Sequence, residues 1–272
     1  MVSKQTTLTQ AIASIADGSI VALGGNTLHR APCAAVHELI RQQKRRLELV
    51  KTAGAYDVDV LVGAGATDRV SAGFIGFENV FGLAPQYRQA AEQGRIQVKE
   101  HACYTLITAM RAAVQGVPFL PIAGMLNSDL MQARNFKTVQ DPYTGQKLAA
   151  VQAIRPDVAL LHVQEADELG NGRIYGSVYE DDLMARAARH VILTCERLIG
   201  AAETACVPEL TTIPGMLVTH VVVVPQGAHP CSCGDLYSYD GDYLARYIAA
   251  CNNQEDYQRW LMENILGKVA TR

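Results

Sequence analysis

Short β-branched runs alternate along this chain with Ala/Leu-rich stretches of helical period. That alternation predicts an α/β protein: an open, mainly parallel sheet flanked by helices, because parallel strands need helical crossovers that cover both faces. Leu8, Ile12 and Ile15 share one helical face, and Asp17-Gly18 stops that helix. Ile20-Val21-Ala22-Leu23 reads as a buried strand running into Gly24-Gly25. Pro32 suits the first residue of the next helix, which carries Val36, Leu39 and Ile40 inward. Leu47 to Val50 is a further strand, while Asp57 to Gly76 stays open between helix and strand, since short apolar runs are not separated by period. Beyond it, Pro85 to Glu92 and Leu106 to Val114 read as helices, Ile96 to Glu100 as extended, and Gly116-Val117-Pro118 as a stop. Asp157 to Val163, Val191 to Thr194 and Val218 to Val224 are inner strands. Two helices close the chain at about 240–268, starting near the cap Asp240 and holding Leu244, Tyr247, Ile248, Trp260 and Leu261. No repeat, low-complexity tract or Pro/Ser-rich linker divides residues 1–272, so one domain is expected.

Composition narrows the function. With 24 Lys and Arg against 27 Asp and Glu, a net charge of −3, there is no basic excess for a nucleic-acid backbone. Residues 1–19 lack a continuous apolar core and a cleavage site, so no secretory signal is expected. The stretch Met216 to Val224 is too short to span a bilayer. Seven scattered cysteines read as reduced thiols of a cytoplasmic protein with neither nucleic-acid nor membrane partners.

The segment Asp17 to Asn26 gives a helix stop, a strand and a glycine turn in succession. A turn at the carboxyl end of a parallel strand is where α/β folds place ligands, and missing side chains let backbone N–H groups approach an oxygen. Most Gly-Gly pairs are simply tight turns. The third glycine of a dinucleotide fingerprint is absent, as is any GxxxxGK[ST] loop. Asn26 and His29 flank the turn and can hydrogen-bond a carboxylate; Arg30 could pair with a carboxylate or phosphate, or lie in a solvated loop. Glu100 ends a strand just before His101-Ala102-Cys103-Tyr104, where burial could raise a carboxylate's pKa, although most glutamates at such junctions are surface or capping residues. His229-Pro230-Cys231-Ser232-Cys233 has soft ligands but no second pair at ligand spacing, so no metal is expected and His229 reads as an interface or ligand residue. Asp167 and Asn171 read as turn-formers, and Lys44-Arg45-Arg46 as a solvated turn. No GxSxG nucleophile turn occurs.

Asp17 to Pro32, DGSIVALGGNTLHRAP, resembles the first signature of the family I CoA-transferases: Asp-Gly, an apolar strand, Gly-Gly, then Pro. Three further segments support the likeness in order and spacing: Ala72 to Glu78 (AGFIGFE), Ala166 to Asn171 (ADELGN), and Gly227 to Pro230 (GAHP). Together they are similar to the α subunits of glutaconate CoA-transferase-type enzymes over nearly the whole chain. The resemblance implies a β subunit of the same fold, with the active site between the two and the catalytic glutamate in a Ser-Glu-Asn motif of the β subunit. This sequence has no Ser-Glu-Asn; its Glu-Asn pairs at 78–79 and 263–264 follow Phe77 and Met262.

The implied substrates are an acyl-CoA and a carboxylic acid, with CoA as substrate and no permanently bound cofactor. In that chemistry a carboxylate attacks the thioester, an anhydride forms, and the CoA thiolate returns to give a glutamyl-CoA thioester. Gly24 and Gly25 would supply oxyanion-stabilising N–H groups, with Asn26, His29, Arg30, Glu78 and His229 around substrate or CoA. The chain also resembles α subunits of hydrolases that open a CoA-linked ring in steroid breakdown, where a glutamate matching Glu100 acts as base. In the transferase reading Glu100 instead shapes or polarises the pocket. A third class, ligand-sensing regulators of related fold that bind sugar phosphates, is disfavoured, because no helix-turn-helix segment precedes the strand–Gly-Gly unit.

Overall fold

The computed structural model describes residues 2–267. Among them run eleven strands: β1 (Ile20–Leu23), β2 (Leu47–Gly54), β3 (Thr67–Ile75), β4 (Gln97–Glu100), β5 (Phe119–Ile122), β6 (Lys137–Gln140), β7 (Lys147–Gln152), β8 (Val158–Asp167), β9 (Gly172–Arg173), β10 (His190–Ile199) and β11 (His220–Val223). The helices are α1 (Leu8–Ala13), α2 (Cys33–Arg41), α3 (Tyr56–Gly63), α4 (Glu78–Phe81), α5 (Pro85–Glu92), α6 (Cys103–Gln115), α7 (Leu130–Ala133), α8 (Asp181–Ala187), α9 (Ala201–Cys206), α10 (Gly241–Ala250) and α11 (Gln254–Leu261).

The main sheet is mostly parallel, in the order β11-β10-β8-β1-β2-β3-β4, with β9 antiparallel to β8. From β1 the chain builds β2 to β4 on one side and later β8, β10 and β11 on the other. The carboxyl end of β1 is therefore a topological switch point, where open α/β sheets leave a crevice for ligands. Gly24-Gly25 sits there.

Alternation along the strands divides the core in two. Val21, Leu23, Leu49 and Leu160 face α2, α3, α10 and α11 through Val36, Leu39, Leu61, Leu244, Tyr247 and Trp260. Ala22, Val50, Leu161 and Leu193 face α6 and α8 through Leu106, Met110, Met184 and Ala185. Burying each of those larger side chains contributes roughly 1.5–3 kcal/mol.

The segment left open by its period, Asp57 to Gly76, divides into α3 and β3. Every residue from Tyr56 to Val62 in α3 is buried, so no polar face betrays the helix. Pro32 stands one residue earlier than expected, as the N-cap of α2. Asp240 caps α10, its side chain accepting from the Tyr243 N–H at 2.8 Å. A π-helical turn, Met262–Leu266, follows α11; the end of the expected C-terminal helical range, residue 268, lies outside the described residues. Sequence reading missed the antiparallel sheet β5-β7-β6. Its strands are mostly exposed or half-buried, so they lack the apolar alternation that marks the inner strands. Among the described residues no helix is long and apolar enough to cross a membrane.

Candidate functional site

The glycine turn is held from both sides by buried charge. On one side the Gly24 N–H donates to Leu160 O (2.9 Å) and the Gly25 N–H to Asp181 Oδ2 (3.0 Å). Asp181 pairs with Arg30 at 2.8 Å, and Arg30 also donates to His162 O (2.8 Å) and Ser177 O (3.0 Å). On the other side the Lys51 ammonium donates to the carbonyls of Gly24 and Gly25 and pairs with Asp57 at 3.1 Å, both side chains fully buried. Such pairs hold a geometry well, because removing one partner strands a charge in the interior.

Both glycines are needed for close approach. A Cβ on Gly24 would lie 2.7 Å from Asp181 Oδ1, and one on Gly25 2.4 Å from His29 O. Gly25 also has φ +70, a conformation L side chains rarely adopt. Both amide N–H groups of the turn donate within the chain, to Leu160 O and Asp181 Oδ2. Arg30, 3% exposed, is neither a solvated loop residue nor an open ligand site; it ties the turn to α8. Lys51, Asp57 and Asp181 were not singled out from sequence. A lysine following the apolar pair Leu49-Val50 in a strand was the available signal, since a buried ammonium needs a partner.

Beyond the turn, Asn26 and His29 exchange backbone hydrogen bonds at 2.8 and 2.7 Å. The Asn26 side-chain amide makes no hydrogen bond among the described residues, and exposed His29 sets Nδ1 2.9 Å from Ser232 Oγ. Thr27 Oγ1 donates to Glu78 Oε1 at 2.7 Å, joining the turn to the start of α4. Thr27, Arg30 and Glu78 all have positive φ (44, 53 and 56). Left-handed non-glycine residues cost about 1–3 kcal/mol each and gather where a structure over-determines them. His229 packs elsewhere: its Nε2 lies 3.0 Å from Asp240 Oδ2, at the cap of α10.

Glu100 ends β4, level across the ladder with Ala72 of β3 and Lys51 of β2. Three strand spacings, about 14 Å, separate β4 from β1. The Glu100 side chain is exposed and makes no hydrogen bond or ion pair among the described residues; its backbone carbonyl accepts from Arg134 at 3.0 Å. Phe74 near the end of β3, and Val80, Leu83 and Tyr104 on the segments that follow β3 and β4, are also exposed.

Cys233 joins His162 and Glu196 rather than His229, the three ligand atoms lying within 4.8 Å of one another. Protein hydrogen bonds already occupy the group: Glu196 lies 2.8 Å from His162 Nε2 and accepts from the Tyr237 hydroxyl and the Gln226 N–H. Burial lowers the His162 pKa, although Glu196 pulls it upward, and burial raises the Cys233 thiol to about 12. Asp59 in α3, buried beside the Tyr247 hydroxyl (2.7 Å) and the Tyr87 N–H (2.6 Å), is raised by burial to about 7.

The family model for coenzyme A transferase matches residues 5–224. The A subunit of glutaconate CoA-transferase from Acidaminococcus fermentans is 33% identical, over 96% of this chain and 87% of that one. A crystal structure of glutaconate coenzyme A-transferase from that organism superposes with a TM-score of 0.93, covering 98% of this chain and 90% of the other. A chain of the decarboxylase AibA/AibB gives 0.88 at 35% identity, covering 98% of this chain and all of its own (100%). The IpdA subunit of a cholesterol ring-cleaving hydrolase from Mycobacterium tuberculosis is 30% identical, over 99% of this chain and 96% of that one. The chain spans 60% of the length of a longer Archaeoglobus fulgidus protein to which it is 32% identical over 98% of its own length. A glycine turn at the switch point of a parallel sheet, four signature segments in register and these matches place the chain in the coenzyme A transferase family.

Proposed function

We propose that residues 1–272 form one domain, the α subunit of a heteromeric cytoplasmic CoA-transferase that moves CoA between an acyl-CoA and a carboxylic acid. A β subunit of the same fold supplies the nucleophilic glutamate, and CoA enters as substrate without a resident cofactor. The observation carrying this reading is the division of carboxylates around the switch point. Asp181 and Asp57 are buried and committed to Arg30 and Lys51, whereas Glu78 and Glu100 sit exposed among Phe74, Val80, Leu83 and Tyr104. The buried pair shapes the site, and the exposed apolar rim suits a docking subunit. The partner's carboxylate would attack the thioester carbonyl and expel CoA thiolate; the thiolate would then attack the anhydride at the glutamyl carbonyl, releasing the first acid and leaving a glutamyl-CoA thioester. Asn26, His29 and Glu78 are the residues of this chain placed to orient the acid.

Glu100 favours a second reading. A free carboxylate at a strand mouth can serve as a general base, so the chain could instead belong to a ring-opening acyl-CoA hydrolase. One experiment separates the two. The complex is purified through this chain, incubated with acyl-CoA, and its glutamyl thioesters are trapped and located by mass spectrometry. An adduct on a co-purifying same-fold chain supports transfer. No adduct, with hydrolysis abolished by Glu100→Gln, supports the second reading. If no second chain co-purifies, the half-enzyme reading fails.

A further inference from the structure

A cavity of about 570 Å³ lies between the α6-facing side of β1 to β4 and the small antiparallel sheet. Lys99, Arg134, Lys137 and Arg155 line it, with Glu48 as its one carboxylate. Lys99 lies 2.8 Å from each oxygen of that carboxylate, which also accepts from the Ser71 hydroxyl at 3.1 Å and pairs with Arg69 at 3.7 Å. The other three cations form no ion pair among the described residues. Arg134 donates to Glu100 O and stacks on Phe136, Arg155 donates to Ala113 O, and Lys137 donates to Asn135 Oδ1. A concave site with three cations outside any ion pair favours an anionic ligand.

His101 completes the wall. It is 4% exposed, with Phe136 edge-on to its ring, and its Nε2 has no hydrogen-bond partner among the described residues. The Thr105 hydroxyl donates to Ala102 O at 2.8 Å, so the His101 Nδ1–H donates to Thr105 Oγ1 at 3.1 Å. Burial, with Arg134 and Lys99 nearby, holds the His101 pKa down to about 4, so the ring is neutral and Nε2 carries a lone pair. A buried acceptor beside cations outside any ion pair matches a ligand that is anionic yet still bears a proton. A phosphate monoester near its second ionisation, about pH 6, has that character, whereas a carboxylate at neutral pH has no proton to offer.

We propose that this cavity binds a phosphate group, its charge met by Arg134, Arg155 and Lys137 and its P–OH donating to His101 Nε2. Calorimetry with inorganic phosphate on the chain, purified together with any partner that accompanies it, tests the site. Binding should weaken on the order of tenfold or more in Arg134→Gln/Arg155→Gln. In ¹⁵N spectra of the wild type, His101 Nε2 should change from unprotonated to hydrogen-bonded or protonated as phosphate is added. Two sources share this chemistry, free phosphate and the 3′-phosphate monoester of CoA. Competition by CoA but not by dephospho-CoA identifies the second; competition by neither identifies the first. Absence of binding at millimolar phosphate, or binding untouched in a folded double variant, overturns the proposal. If the double variant does not fold, an unmoved Nε2 resonance overturns it alone. CoA transfer is measured separately, so failure of this site and failure of the transferase reading are distinguishable.

Discussion

The glycine turn and the mouth of β4 lie on the same sheet and are built on opposite principles. Around Gly24-Gly25 the buried charges and the glycine amides are committed: Arg30 to Asp181, Lys51 to Asp57, the amides to Leu160 O and Asp181. At β4, Glu100 is exposed and its carboxylate uncommitted. The most recognisable motif is therefore tied up in internal contacts, while an exposed, unpaired carboxylate lies in a segment with little sequence signature. A motif can persist because its packing admits nothing else, without touching a substrate.

Substitutions can break that contrast, beginning at the turn. Gly25→Ala meets backbone and requires a positive φ, so it should prevent folding, whereas Gly24→Ala meets only side chains and should be milder. Lys51→Met leaves Asp57 buried and unpaired and should cost about 3–5 kcal/mol by urea denaturation. A denaturation midpoint within error of wild type for Lys51→Met would mean the pair is not what holds the turn.

Asp59 sharpens the contrast through pH. Its native pKa of about 7 exceeds the ordinary 3.8, so the folded chain binds the extra proton and stability falls as pH rises from about 4 to 7. His101, lowered to about 4, acts in the opposite sense: its contribution is lost as pH falls from 6.5 towards 4. Asp59→Asn should therefore leave a profile that rises with pH across that range. An unchanged profile would remove Asp59 from the account.

Smaller effects belong to the loop and the strand mouth. Thr27→Val removes the hydrogen bond to Glu78 and should cost about 0.5–1.5 kcal/mol. Glu100→Gln should change stability by less than about 0.5 kcal/mol. If Glu100 is a base, the same change lowers turnover by about 10²–10⁴; if it only shapes the pocket, KM moves more than kcat. A large stability loss in Glu100→Gln would erase the distinction between the two regions.

The fold was legible where strands are short, apolar and buried, as in Ile20–Leu23, because one-dimensional patterning carries that information. It was illegible at Tyr56–Gly63, where burial on all sides hides the helical period, and at β5 to β7, where exposure removes the alternation. Among site residues, Gly24, Gly25 and Glu100 were visible as types at strand ends. The partners that decide what those residues can do, Asp181 and Lys51, are remote in sequence and were not. The role of Arg30 follows from its contacts with Asp181 and His162 O, which no local spacing encodes.

The two ends of the main sheet differ as well. Beside β11, Lys4, Gln5 and Thr6 run alongside Val221 and take up its backbone groups, closing that edge with the chain's own beginning. At the other end, β4 pairs with β3 and with no further strand among the described residues. The sheet is thus directional, like a zip with one end sewn shut. Among the described residues β4 is the edge with no such cover, and an extended chain pairing there would first meet Gln97, Val98, Lys99 and Glu100.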